Sequence, residues 1–105
     1  MQQITISGSL LTDAFTFKDV NNRQYVRFVV SCPNVDKFGR TTFSHYRCTC
    51  YILGFQSLKK GDQVFLTGRF TPSIGTDEKG KTYLNLDVLV LSISGGYKAD
   101  ERKNK

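Results

Sequence analysis

The sequence lacks the features that mark several large classes of protein. No apolar run approaches the length that a transmembrane segment needs, and Met1-Gln2-Gln3-Ile4 lacks the charged and apolar regions of a signal peptide. We therefore expect a cytoplasmic protein. A chain of 105 residues suits one domain and leaves little room for a second.

Cysteine and histidine are scarce. The odd count of three cysteines, Cys32, Cys48 and Cys50, argues against a disulfide framework when no secretory signal is seen. Together with His45 these residues have the chemistry of zinc ligands. However, His45 and Cys48 face opposite sides of a strand, and no Cys-x2-Cys pair occurs. We therefore expect buried cysteines, no metal and no cofactor.

Catalytic signatures are missing as well. The sequence shows no nucleophile–base pair, no Gly-x4-Gly-Lys loop and no acidic pair at a useful spacing. It also shows no internal repeat. We expect a binding protein that is not an enzyme and has no small-molecule substrate.

The charge balance favours a polyanionic partner. Fifteen Lys and Arg residues face nine Asp and Glu residues, for a net charge of +6. Residues 98–105 contribute +2 of this excess, so the body of the chain keeps +4. Nucleic acid is favoured over an anionic membrane because no amphipathic basic helix is visible, although charge that serves only solubility is the alternative.

Residues 43–54 form the most informative stretch. Aromatic, β-branched and cysteine residues without proline predict a strand. Alternation places Tyr46, Cys48, Cys50 and Ile52 on an apolar face, and His45, Arg47, Thr49 and Tyr51 on the other. The second face suits a phosphate on Arg47 and a base on Tyr51, or it is simply a solvated face.

Similar alternation predicts four further strands, at 4–10, 24–32, 62–71 and 81–93. The first pattern can be followed through Phe15 and Phe17, and Pro33 and Pro72 are expected to end the second and fourth strands. Residues 55–61 are the one credible helix, with Gly61 as its C-cap. Leu89 and Leu91 lie opposite the core face of the last strand, which favours a partner surface.

These elements predict an all-β fold, a five-stranded OB-fold barrel with one short helix between strands 3 and 4. Mid-strand glycines at Gly8 and Gly68 suit a closing barrel. The barrel is expected over residues 1–95, followed by a disordered basic tail over 96–105. OB-folds bind oligonucleotides on one strand face and its loops.

The sequence resembles the single-stranded DNA-binding protein (SSB) family of bacteria and phages over nearly the whole chain. The most specific segment is Leu58–Phe70, which begins Leu58-Lys59-Lys60-Gly61 and is similar to the Leu-x-Lys-Gly-x-x-Val-x-x-x-Gly motif of that family. The other matching segments are residues 4–10, 25–31 and 76–83.

The chain differs from the family in three respects. It has no tryptophan, where the family commonly stacks several on DNA, and Gly75 stands where a hairpin tryptophan is often found. The tail ends Arg102-Lys103-Asn104-Lys105 in place of an acidic tip. These differences suit a phage-borne, plasmid-borne or accessory form.

The resemblance implies binding of single-stranded DNA without strong sequence preference, in DNA replication, recombination or repair, by a homo-oligomer (a dimer or tetramer). The expected phosphate-binding residues are Arg27, Lys37, Arg40, Arg47, Arg69, Lys79 and Lys81. The expected base-stacking residues are Tyr25, Phe38, His45, Tyr51 and Tyr83. Phe38 could instead plug the core.

Two other functions are compatible with the same fold. An OB-fold subunit that docks proteins in a primosome-like assembly would use apolar residues such as Leu89 and Leu91. A cold-shock-like RNA-binding barrel ranks lower, because dense aromatic motifs on consecutive strands are not seen.

Overall fold

The computed structural model describes residues 2–97, and all of the regular structure in this range is β-strand. The strands are β1 (Gln2–Leu10), β2 (Phe15–Lys18), β3 (Gln24–Val35), β4 (Thr41–Cys50), β5 (Gln63–Thr76) and β6 (Thr82–Tyr97). The all-β prediction is confirmed. None of the described residues forms a helix that could span a membrane.

The strands form one sheet that closes on itself. Their order is β1-β5-β6-β4-β3-β2, and β1 also pairs with β3 at Ser9↔Ser31 and Leu10↔Val30. Five strands, β1, β5, β6, β4 and β3, therefore form a closed ring, and β2 is added beside β3. Only the β4–β6 pairing is parallel among the described strands. This barrel is consistent with the predicted OB-fold.

The core lies inside the ring and follows the predicted alternation. On β3 the inward side chains Val26, Phe28 and Val30 are buried, and on β4 Cys48 and Cys50 are fully buried. Because inward and outward residues alternate along a strand, burial of this set leaves the other set on the solvent side.

The predicted helix at 55–61 is wrong, because this part of the described chain forms irregular turns. Its backbone groups bond to other segments: the Leu58 carbonyl accepts from the Ala14 N–H at 2.9 Å, and the Gly61 N–H donates to the Leu10 carbonyl at 2.9 Å. Leu58 itself is buried. Seven residues are too few for a stable isolated helix, so these tertiary contacts decide the conformation.

Both prolines lie inside strands, which contradicts their predicted role as strand ends. Pro33 pairs with Phe43, and Pro72 pairs with Leu86. At these positions β3 and β5 have left the barrel, and each has a single described neighbour strand. The missing proline N–H therefore faces an open edge and costs no ladder hydrogen bond.

The observed strand ends differ from the prediction elsewhere too. β4 ends at Cys50, before Tyr51, and residues 15–18 form a separate strand, β2. β6 continues to Tyr97, two residues beyond the predicted barrel limit. The rest of the predicted tail, residues 98–105, lies outside the described residues.

Candidate nucleic-acid interface

The solvent side of β2, β3, β4 and β6, together with Arg69 on the neighbouring β5, forms a continuous surface, which we call the outer face. Cross-strand register places five of its residues in one row, in the order Phe15, Arg27, Thr49, Leu89 and Arg69. Arg27 and Arg69 are thus brought to the same surface although they are 42 residues apart. No ion pair joins either of them to another described residue.

An aromatic row lies at one end of the outer face. The ring centroids of Phe17 and Tyr25 are 5.7 Å apart, and those of Tyr25 and Tyr51 are 5.2 Å apart. The Arg23 guanidinium lies 5.1 Å from the centre of the Tyr51 ring. The row is accessible, since Phe17 and Tyr51 are 45% and 37% exposed. Partly exposed neighbouring rings of this kind can stack bases.

A hydrogen bond from its hydroxyl group holds the Tyr51 ring, the last of this row, in place. The Tyr51 hydroxyl donates to Asp19 Oδ2 at 3.3 Å. Desolvation is the main factor that raises the pKa of Tyr51, and the nearby Asp19 charge adds to it. The backbone N–H of Arg23 is the main factor that lowers the pKa of Asp19. Near neutral pH the phenol therefore keeps its proton and donates it to a charged acceptor.

The middle of the outer face carries an ion pair between neighbouring strands. Arg47 Nε donates to Asp87 Oδ1 at 2.7 Å, and Arg47 Nη2 donates to Asp87 Oδ2 at 2.8 Å. The two residues are register partners of the parallel β4–β6 pairing. The hydrogen bond to Asp87 is the main cause that raises the pKa of Arg47. Two parallel bonds of this kind hold a guanidinium in a fixed orientation.

A shallow groove of about 470 Å³ runs between Tyr51, at the end of the aromatic row, and the Arg47–Asp87 ion pair. Its lining consists of Arg27, Arg47, Thr49, Tyr51, Thr71, Asp87, Val88 and Leu89. Leu89 is 38% exposed and lies beside Tyr51 and the arginines. Its outward orientation is confirmed, and the structure makes it part of a mixed polar and aromatic groove.

The β3–β4 hairpin carries three predicted site residues at its tip. Phe38 is 70% exposed, so it does not plug the core. Lys37 Nζ and the Arg40 guanidinium each lie 5.3 Å from the Phe38 ring centre. Arg40 Nε also donates to Asp36 Oδ2 at 2.9 Å. The tip therefore presents an exposed ring flanked by two cations.

The β5–β6 hairpin carries the remaining predicted residues. Tyr83 packs over Gly75, because a Cβ atom on Gly75 would come within 2.4 Å of Tyr83 Cζ. Tyr83 is half exposed. Lys79 and Lys81 lie in the turn at the tip. Glycine at position 75 thus makes room for a ring on the outer face.

Both hairpins point the same way. β4 starts at the tip of one hairpin and β6 starts at the tip of the other, and the two strands are parallel. Their pairing is confined to residues 47–49 and 87–89, so the outer parts of the hairpins separate. We call the outer parts of the β3–β4 and β5–β6 hairpins the arms.

The predicted site residues therefore fall into separate groups. Register brings Tyr25, Arg27, Arg47 and Tyr51 together, and it adds Arg69 at the edge of the same surface. The arms hold Lys37, Phe38, Arg40, Lys79, Lys81 and Tyr83. His45 is exposed on β4, opposite Ser31.

Sequence reasoning missed four residues of the outer face: Phe15, Phe17, Arg23 and Asp87. The alternation of Phe15 and Phe17 is a usable signal, but by itself it predicts only an extension of the first strand, whereas the structure has the separate strand β2. Nothing local marks Arg23 as a partner of Tyr51 or Asp87 as a partner of Arg47, because each contact joins separate strands or loops.

The cysteines are buried in the core. Burial is the main cause that raises the pKa of all three thiols, and it raises that of Cys48 to about 12. His45 is exposed on the opposite side of β4. Between residues 2 and 97, no three His, Cys, Asp or Glu side chains are grouped closely enough to hold a metal ion.

Comparisons with known proteins give matches among solved structures. The chain is similar to Plasmodium falciparum SSB in complex with ssDNA, with a TM-score of 0.69 and 10% identity over 90% of this chain and 94% of that chain. It is also similar to a small single-stranded DNA-binding protein from Streptomyces coelicolor, with a TM-score of 0.69 and 20% identity over 90% of this chain and 93% of that chain. The chain shares their fold. No family model and no curated protein matches the sequence.

Proposed function

We propose that this protein binds single-stranded DNA on its outer face, without strong sequence preference. The observation that carries the proposal is the row of Phe17, Tyr25 and Tyr51 rings beside a groove that also contains Arg27. Every base has a π-face, so stacking on such rings tolerates any sequence. Arginine side chains around the rings supply the attraction for phosphates.

The shared fold supports the same proposal. One of the similar structures is a complex with ssDNA, and the other protein is described as a single-stranded DNA-binding protein. The proposed role is binding and protection of a strand, without a chemical step. Action in DNA replication, recombination or repair, assembly as a dimer or tetramer, and a cytoplasmic location belong to this proposal.

The decisive experiment is a fluorescence-anisotropy titration with labelled oligo-dT of about 30 nucleotides, which exceeds the site size of one OB-fold. We expect tight binding that weakens steeply with salt and that duplex DNA does not displace. Tyr51→Ala should weaken binding by about 1–3 kcal/mol.

Phe65→Ala is the matched control for the Tyr51 variant. Phe65 is another exposed ring, 54% accessible, but it lies on β5 opposite Ser7 and outside the groove. Its removal should leave binding nearly unchanged. Absence of binding at low salt, or equal losses for both variants, would overturn the proposal.

A protein-docking subunit is the second candidate. Its supporting observation is the cross-strand pair Ile74 and Leu84 on the β5–β6 arm, which are 75% and 63% exposed. Exposed apolar pairs of this kind are used at protein contacts. A chain that fails to bind oligo-dT while binding a protein through these two residues would establish this candidate.

A further inference from the structure

The Arg47–Asp87 pair changes what Arg47 can do in the groove. Two of the five guanidinium N–H groups, on Nε and Nη2, already donate to a carboxylate. The carboxylate charge also cancels the guanidinium charge within a few ångströms. A phosphate would therefore meet a nearly neutral pair, and only the three N–H groups that do not bond to Asp87 could donate to it.

The Arg47 side chain, in contrast, is still accessible. Arg47 and Asp87 side chains are 45% and 38% exposed, and Arg47 lines the groove. A guanidinium held in a fixed orientation offers a π-like plane on which a base can stack. Tyr51, which also lines the groove, lies four residues further along the chain, roughly 13 Å away.

We propose that Arg47 is a stacking plane for a nucleobase, that Asp87 is the residue that positions it, and that Arg47 is not a phosphate contact. This inference rests on the proposed function. It reassigns Arg47 from the phosphate-binding set to the base-stacking set. It also makes Asp87 a residue that lowers the effective charge of the outer face.

The test uses a double variant that keeps the net charge constant. Arg47→Ala combined with Asp87→Ala removes the plane together with its carboxylate partner. Two probes are compared: oligo-dT, and an abasic deoxyribose–phosphate strand of equal length. We expect the double variant to lose roughly 5- to 150-fold in affinity for oligo-dT, with an unchanged salt slope and no loss on the abasic strand.

The single variant Asp87→Asn tests whether the Asp87 carboxylate masks the charge of Arg47. Without the carboxylate, the Arg47 charge becomes available to phosphates, so the salt slope should steepen by about 0.7 on both probes. Arg27→Ala is the control for a true phosphate contact, because Arg27 lies in the same groove without an ion pair to a described residue. It should flatten the slope by about 0.7 on both probes.

The outcomes separate this inference from the proposed function. If the double variant flattens the salt slope and weakens binding to the abasic strand, Arg47 is a phosphate contact and the inference is wrong. An unchanged slope for Asp87→Asn would also contradict it. If wild-type protein binds neither probe, the proposed function itself fails. Thermal melts of each variant verify that the barrel is folded.

Discussion

At the scale of single residues, the number of arginines overstates how many cationic side chains are free to bind a polyanion. Three arginines, Arg23, Arg40 and Arg47, are paired with aspartates at 3.1, 2.9 and 2.7 Å. Exposed pairs of this kind contribute little to stability, but they reduce the charge available to phosphates. In the described part of the chain, Arg27 and Arg69 have no such partner.

The buried thiol of Cys48 gives a prediction about alkaline pH. Burial raises its pKa from 9.0 to about 12, so the native state keeps a proton that the unfolded state loses above pH 9.0. The stabilisation is fully present below pH 9.0 and is lost as the pH rises towards 12. We expect the free energy of unfolding to fall by about 1.4 kcal/mol per pH unit in this window.

Urea denaturation at several pH values, on wild type and Cys48→Ala, measures this effect. Other thiols and tyrosines titrate in the same range, so the quantity of interest is the difference between the two slopes. The variant should show the shallower decline. Identical slopes in the two proteins would refute a protonated, buried Cys48.

At the scale of elements, three hairpins use the same five-residue turn. These turns cover residues 19–23, 36–40 and 77–81, and they read Asp-Val-Asn-Asn-Arg, Asp-Lys-Phe-Gly-Arg and Asp-Glu-Lys-Gly-Lys. In each, one aspartate oxygen accepts the N–H groups of the third and fifth residues at 2.8 or 2.9 Å. The fourth residue has a positive φ. The sequence showed no repeat because only the first, fourth and fifth positions are constrained.

The fourth position of these turns is an asparagine in one turn and a glycine in the other two, and this difference yields a prediction. Asn22 has a φ of 63°, and Gly80 has a φ of 80° with open space where a Cβ would lie. Gly80→Ala should therefore destabilise by about 1 kcal/mol through backbone strain alone. Gly80→Asn should cost less, because asparagine tolerates this conformation.

Denaturant unfolding of the two Gly80 variants provides the measurement. Asn22→Gly is the reciprocal control, and it should be neutral or slightly stabilising. Equal stability of the alanine and asparagine variants would show that φ does not control this turn.

At the scale of the whole molecule, a closed barrel carries two arms that extend the same way. The radius of gyration is 15.0 Å, above the roughly 13 Å typical of a compact chain of this length. The part of the outer face that lies on the barrel, which we call the strand face, and the arms are thus separate parts of the candidate interface. A short ligand can occupy the strand face alone, whereas a longer one also reaches the arms.

Shortening one arm tests this division. Replacing residues 35–41 by Asn-Gly joins the register partners Asn34 and Thr42 through a favourable two-residue hairpin turn. The variant loses Lys37, Phe38 and Arg40, so affinity for a 30-nucleotide strand should fall about tenfold, roughly one stacked base. Affinity for a strand of about 8 nucleotides should change little.

Anisotropy titrations with the two lengths of oligo-dT give the comparison. Thermal unfolding should show an intact barrel, because the deleted residues lie outside the buried core. Equal losses on short and long strands would mean that the arm and the strand face do not bind separately.

The sequence by itself determined the inward and outward faces of the central strands. Val26, Phe28, Cys48 and Cys50 were assigned correctly to the core because alternation along a strand is a local property. It also predicted the barrel, whose fold is shared with SSB structures. Local reasoning was wrong at residues 55–61, where turns take the place of the predicted helix because contacts with Leu10 and Ala14 use the backbone groups.

Only the tertiary structure decided which outward residues meet. Arg47 and Asp87 are 40 residues apart, and Tyr51 and Asp19 are 32 apart. The Arg47–Asp87 contact depends on the β4–β6 register, between strands that closure of the barrel brings together. The Tyr51–Asp19 contact depends on how the β2–β3 and β3–β4 hairpins align. No local pattern specifies the register between β4 and β6, because the alternation of side chains along a strand is the same whichever neighbouring strand it pairs with.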